Sequence, residues 1–178
     1  MTRQVALLRG INVGGSRRVG MAELRKLLDD AGYKDVRTHL QSGNVLLTSD
    51  LSGKALERRL EQQLEQGLGL ELKVLVRSRN QLAKIVARNP LGDVADNPSR
   101  YLVTFLAEKL DAKKVEELAA LAVDAERFAA HGRELYSWHP EGARDSALWK
   151  TLADRRLGVT ATARNWNTVA KLLELADA

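Results

Sequence analysis

The chain has 178 residues, 44% apolar and 29% charged, which suits one large domain or two small halves and excludes a disordered or fibrous protein. It has no cysteine, which removes disulfides, thiolate zinc sites, iron-sulfur clusters and a cysteine nucleophile, and predicts a chain at home in a reducing cytosol. Net charge is +5, and +4 of it lies in residues 1–45, where eight Lys/Arg face four Asp/Glu, so only the N-terminal quarter presents a cationic field.

Residues 4–9 form a short β-rich run ending in glycine, which predicts a buried strand. Met21, Leu24, Leu27, Leu28 and Ala31 recur at helical spacing, and Gly32 sits where such a helix stops. Residues 36–41 and 44–49 read as strands around Ser42-Gly43, a pair suited to a tight hairpin because glycine accepts positive φ. Ser52 opens a second helix with a Leu56, Leu60, Leu64 stripe ending at Gly67. Leu70, Leu72, Val74 and Val76 then alternate as a strand with one buried face, so the order is βαββαβ. A helix at 81–88 leads into 89–100, whose Pro90, Gly92 and Pro98 mark a linker.

The pattern begins again at 101–106, a strand, followed by a helix at 111–121 capped by Asp111. Residues 127–130 and 135–138 form a hairpin around Gly132, and a helix at 147–157 follows, with Asp145-Ser146 as its N-cap region. In place of a last strand, a final helix is expected from about residue 163. Thr162 would cap it, and Trp166, Val169, Ala170 and Leu173 would form its apolar stripe. The expected fold is α+β, with two ferredoxin-like halves in one compact unit. Residues 1–78 form the half with the glycine loop, 79–100 a helix and linker, and 101–178 the second half with its C-terminal helix. The halves share no visible sequence identity, so the duplication rests on element order alone.

After the first strand comes Arg9-Gly10-Ile11-Asn12-Val13-Gly14-Gly15-Ser16, whose glycines let backbone N–H groups approach a ligand such as phosphate. The spacing G-x-x-x-G-G is not a dinucleotide fingerprint, and the sheet expected here is largely antiparallel. Nor is it a Walker loop, because Ser16-Arg17 stands where the lysine and Ser/Thr belong. The plainer reading is a long connection whose glycines permit a sharp turn.

The segments 9–15 (RGINVGG), 41–44 (QSGN) and 162–168 (TARNWNT) together resemble the bacterial family called domain of unknown function 1697, in the same order and over essentially the whole chain. The resemblance implies a two-part α/β protein with ferredoxin-like halves, and no activity, substrate or cofactor. Many members carry a lysine after the double glycine and a proline before the first helix, where this chain has Ser16 and Gly20. Arg17 and Arg18 are placed to compensate at an anion contact.

In a ferredoxin-like sheet the second strand runs parallel to the first, so the hairpin at 41–44 lies at the same end as the loop at 9–15. If Thr162 caps the last helix, Arg164 and Asn165 lie in its first turn, where free N–H groups and the dipole favour an anion. Trp166 reads as core. Arg9, Asn12, the Gly14 and Gly15 amides, Ser42, Asn44, Arg164 and Asn165 are therefore expected to converge on one phosphate or carboxylate, the alternative for Arg164 being a structural ion pair with a carboxylate elsewhere in the fold.

RNA-recognition domains stack bases on aromatic residues of the first and third strands, but here 5–8 and 45–48 contain none. As candidate general bases, His39 lies on a strand near the hairpin, sharing a face with Arg37 and Gln41, while His131 and His139 flank the second hairpin. Each is more readily structural than catalytic, and no metal cluster or carboxylate pair is legible. The start of the chain lacks a signal-peptide pattern, and the longest uncharged apolar stretch is 118–123, so a cytoplasmic protein with no membrane partner is expected. The expected partner is a phosphorylated small molecule or a nucleic-acid backbone. An enzyme acting on a phosphorylated substrate, or a scaffold whose motifs only fasten the fold, are the alternatives, with cofactor and oligomeric state open.

Overall fold

The computed structural model describes every residue except Gly14, Ser16 and Arg17. It divides into two units, residues 1–84 with 172–178, and residues 85–171. The first unit runs β1 (Thr2–Leu8), α1 (Met21–Asp30), β2 (Lys34–His39), β3 (Asn44–Ser49), α2 (Gly53–Leu68) and β4 (Val74–Ser78). Its antiparallel sheet has the order β2-β3-β1-β4, the ferredoxin-like arrangement. β1 is nearly continuous in apolar residues because it is a central strand buried on both faces. Ala6, Leu8, Val45 and Val76 face Leu24 and Leu28 of α1 and the Leu56, Leu60, Leu64 stripe of α2. The opposite face, with Val5, Leu7, Leu46 and Leu75, is also buried and is no open platform for stacking bases.

The edge strand β4 is closed by side chains of α2. Val74 N–H donates to the Glu61 carboxylate at 3.0 Å and Val76 N–H to Glu57 at 2.9 Å. These carboxylates occupy amides that an unprotected edge would offer to another chain. Pairing of this strand begins only at Val74, so the alternation at Leu70 and Leu72 belongs to the approach to it. Likewise β2 ends at His39, leaving a four-residue turn at 40–43 in place of the expected two-residue one. Gln41 therefore lies in the turn, where it no longer shares a strand face with His39.

The chain continues through α3 (Arg79–Arg88) into the second unit: β5 (Tyr101–Leu106), α4 (Ala112–Ala119), β6 (Arg127–His131), β7 (Glu134–Trp138), α5 (Ala147–Leu152), β8 (Ala161–Asn165) and α6 (Trp166–Asp177). The sheet order β6-β7-β5-β8 repeats that of the first unit. Two expected caps form, Asp111 accepting from Lys114 N–H and Ser146 from Trp149 N–H. The helix expected over 147–157 stops at Leu152, and Arg155–Leu157 forms a separate 3-10 turn.

The largest departure is β8. The expected helix from residue 163 begins instead at Trp166, and residues 161–165 form the missing last strand, paired to β5 from Leu102↔Asn165 to Leu106↔Ala161. β5 is buried over most of its length, and without β8 one row of its backbone groups would lack partners, a cost that outweighs the helical preference of the alanines. Thr162 is thus a strand residue, and Asn165 is the cap, its Oδ1 accepting from Thr168 N–H at 3.0 Å. The buried stripe of α6 accordingly shifts to Thr168, Val169 and Leu172, leaving Ala170 exposed.

The duplication reaches residue level. Arg77 on β4 pairs with Val5, and Arg164 on β8 with Val103, in equivalent registers. Each is buried, and each guanidinium donates to the carbonyl of the residue before it, Val76 at 2.9 Å and Ala163 at 2.8 Å. A helix cap follows each arginine: Ser78 exchanges hydrogen bonds with Gln81 in a capping box, and Asn165 caps α6.

Candidate functional site

β2 and β1 both run antiparallel to β3, so the hairpin at 40–43 and the loop after β1 share one end of the sheet. Leu8 N–H donates to the Gly43 carbonyl at 2.8 Å, and Ile11 folds over the turn into the core. Gly43 has φ +86°, and a Cβ there would stand 2.7 Å from Ile11 Cδ1 and 2.9 Å from Leu8 Cβ. This glycine of the second motif is required both by backbone conformation and by the close approach of the first.

Asn12 clamps the loop. Its Oδ1 accepts from Val19 N–H at 2.8 Å, while its Nδ2 donates to the carbonyls of Val19 at 3.1 Å and Gln41 at 2.6 Å. Its φ of +54° is one that asparagine tolerates. Asn44, fully buried, donates to the His39 carbonyl at 2.8 Å and to Ser42 Oγ at 3.1 Å, closing the hairpin. The side chains of Asn12 and Asn44 are therefore engaged in building the site's walls.

Those walls enclose an open cleft of about 420 Å³ lined by Asn12, Gly15, Arg18, Val19, Gly20 and Gln41. The lining includes the N-cap of α1, and Gly20 provides no side-chain cap to that helix's first-turn amides. Arg18 is exposed, and the one acidic residue in the first turn of α1 is Glu23. Gly15, with φ +80°, is among the residues that line the cleft. Gly14 of the expected set lies outside the described residues. Arg9 is half-buried at the end of β1, its N–H donating to the Lys73 carbonyl at 3.0 Å. Ser42 stands at the hairpin tip beside Gln41. Gly20 and Gln41 were not in the set expected from sequence, and Arg18 entered it only as a residue placed to compensate for Ser16. The signal for them was modest: an arginine pair after the double glycine, and a glutamine inside the second motif.

Arg164 and Asn165 belong to the second unit. Arg164 is not in a helical first turn but on β8, only 8% exposed, with its guanidinium on Thr162 Oγ1 at 2.7 Å and on the Ala163 carbonyl. Burial pushes its pKa down to about 10, which leaves it charged at neutral pH. Trp166 stacks on Tyr101 with ring centroids 4.7 Å apart and planes 5° from parallel, the core role expected of it.

His139 also has a structural setting. Fully buried, it contacts Glu126 through Nδ1 at 2.7 Å and Ser137 Oγ through Nε2 at 2.9 Å, with Trp149 edge-on at 6.4 Å. Burial pushes the Glu126 carboxyl up, but hydrogen bonds from Ser146, His139 and Val123 N–H outweigh it and hold the carboxyl below its usual range. The spacing matches a Ser-His-carboxylate relay, yet Ser137 is fully buried, so no substrate carbonyl can reach its hydroxyl. His131 ends β6 on the surface and His39 ends β2 at the hairpin. Among the described residues, no group of three His, Asp or Glu side chains is arranged to hold a metal.

Fold and cleft together define a protein of two ferredoxin-like units, the first carrying a clamped glycine loop over an open helix terminus. The chain belongs to the family described as "Protein of unknown function (DUF1697)", whose model matches residues 1–136 and so includes the cleft. Among solved structures it is similar to the conserved bacterial protein SP0830 from Streptococcus pneumoniae, with 26% sequence identity, 98% of each chain covered and a TM-score of 0.79. No curated protein matches the chain.

Proposed function

We propose that the first unit binds a phosphate-bearing ligand in the cleft between the glycine loop, the hairpin and α1. The observation that carries this reading is the composition of the cleft, which brings together a positive-φ glycine, an exposed arginine and a helix N-terminus capped only by glycine. First-turn amides and the helix dipole favour an anion, and Arg18 adds a formal charge and a bidentate donor. Arg9, Gly15 and Ser42 supply further contacts, while Asn12 and Asn44 act as positioning residues. Arg164 and Asn165 serve the second unit. Absence of cysteine supports a cytoplasmic setting, and no helix among the described residues is long and apolar enough to cross a membrane.

The test is a thermal-shift and calorimetric titration at low salt with inorganic phosphate and phosphate esters, on wild type, Arg18→Ala and Glu23→Gln. A ligand at 100 times its Kd stabilises by about 2.7 kcal/mol, and at 2–4 °C per kcal/mol the Tm rises by roughly 5–11 °C. Arg18→Ala removes an exposed cation and should abolish the shift in a folded protein. Glu23→Gln removes a repelling carboxylate and should tighten binding. Failure of every phosphate compound to bind, or equal binding by Arg18→Ala, refutes the reading.

A further inference from the structure

Each four-stranded sheet has two edge strands, and an unprotected edge is a template for pairing with another chain. In the first unit, β2 presents exposed Lys34, Asp35 and Arg37 and breaks register between Lys34 and Arg37, while β4 has its outward amides filled by Glu57 and Glu61. In the second unit, β6 ends in exposed Arg127 and His131. β8 carries none of these devices. It contains no lysine or proline, pairs with β5 without a register break, and holds its one charged side chain, Arg164, in a buried position.

The ladder fixes which backbone groups of β8 point outward. Ala107 N–H donates to the Thr160 carbonyl, and Trp166 N–H to the Pro98 carbonyl, so Thr160, Thr162, Arg164 and Trp166 turn their backbone groups inward. Alternation leaves Ala161, Ala163 and Asn165 facing the open side. All three are partly exposed, and among the described residues no side chain accepts from their N–H groups. The contrast with β4 has a local cause. In the first unit α2 has 16 residues and its Glu57 and Glu61 reach the edge, whereas α5, in the same place of the repeated order, has 6 and stops at Leu152.

We propose that β8 is the surface through which two copies of this chain pair, edge to edge and antiparallel, joining their second-unit sheets into one continuous sheet. The strand is complementary to itself. A two-fold axis at Ala163 sets that residue opposite its counterpart and Ala161 opposite Asn165 of the second copy, each pair exchanging two hydrogen bonds. Side chains at these positions are small and uncharged, so neither bulk nor like charge opposes the approach. An outside peptide is selected through pockets for its alternate side chains, and Ala161 and Ala163 offer only methyl groups for such recognition. The occupant that requires no side-chain selection is the same strand of a second copy.

Sedimentation velocity of the full chain from micromolar to near-millimolar concentration tests this, on wild type, Ala163→Lys, Ala163→Glu and Ala163→Pro. Wild type should form a dimer as concentration rises. Ala163→Lys and Ala163→Glu each set like charges opposite one another and should weaken the dimer by about tenfold or more, while an equal mixture of the two should restore it. Ala163→Pro removes an outward amide that the fold itself does not use, and should abolish pairing with the far-UV circular dichroism unchanged. Hydrogen exchange of the wild type supplies a readout that needs no variant: the amides of Ala161 and Ala163 should become protected across the dimer transition, and those of β6 should not. A wild type that stays monomeric overturns the proposal and leaves the edge to an extended segment of another protein. A dimer that persists in the charged and proline variants, a mixture that fails to pair, or unchanged exchange at Ala161 and Ala163 on dimerisation overturns it too.

Discussion

Replacing Gly43 by alanine should cost far more than the loss of flexibility at an ordinary turn glycine. Its φ of +86° is unfavourable for alanine by roughly 1–2 kcal/mol. The added Cβ would also stand 2.7 Å from Ile11 Cδ1 and 2.9 Å from Leu8 Cβ, both on buried residues with nowhere to retreat. Overpacking of this kind costs about 1–3 kcal/mol, so the total is roughly 2–5 kcal/mol. Gly10→Ala is the internal control: φ there is +69°, but nothing lies within 4 Å of a Cβ, so only the conformational part applies. The difference between the two variants isolates the close approach of the loop and the hairpin. Urea unfolding followed by far-UV circular dichroism is the suitable assay, because Trp138, Trp149 and Trp166 all lie in the second unit and tryptophan fluorescence reports little of the first. If Gly43→Ala is no less stable than Gly10→Ala, the packing argument is wrong.

Asn12→Asp keeps the acceptor for Val19 N–H but sets a carboxylate against the carbonyls of Val19 and Gln41. It should destabilise by about 1–3 kcal/mol and weaken phosphate binding, checked by the same unfolding assay and by titration. Glu126 titrates below its usual range when folded, so its stabilising contribution is present above the unfolded value near 4.5 and is lost as pH falls through the folded value. Urea melts read by tryptophan fluorescence between pH 6 and pH 3 should therefore show a steeper loss for wild type than for Glu126→Gln, and parallel curves would refute the assignment. Burial pushes the Tyr101 hydroxyl up to about 12 and raises that of Tyr136 as well. Their unfolded forms ionise first, so stability is intact below about pH 10 and falls above it. Absorbance titration should show neither tyrosine ionising before the alkaline unfolding transition.

Much of the architecture was legible in the chain because local chemistry and tertiary structure agree. The stripes at Leu24/Leu28 and Leu56/Leu60/Leu64, the caps at Asp111 and Ser146, and the strands at 44–49 and 101–106 lie where periodicity and capping chemistry put them. The proximity of the glycine loop and the hairpin followed from sheet topology alone. What local pattern misread was the segment 161–165. Its alanines favour a helix, and only the unfilled edge of β5 makes it a strand, a demand that comes from 55 to 63 residues earlier in the chain, the separation of the paired positions. That error carried Arg164 with it, from a helix terminus facing an anion to a buried strand position repeated by Arg77 in the first unit. For the site, residue type indicated glycine, asparagine and arginine near one another, and did not say which would build the walls of the cleft and which would line its opening. Tertiary structure decided that. Asn12 and Asn44 find carbonyls and amides of the loop and hairpin within hydrogen-bond reach and become wall, whereas Arg18, Gly20 and Gln41 are left around the opening. Periodicity and capping are set by a few neighbouring residues, but the partner of a polar side chain is set by whichever segments the completed sheet brings beside it.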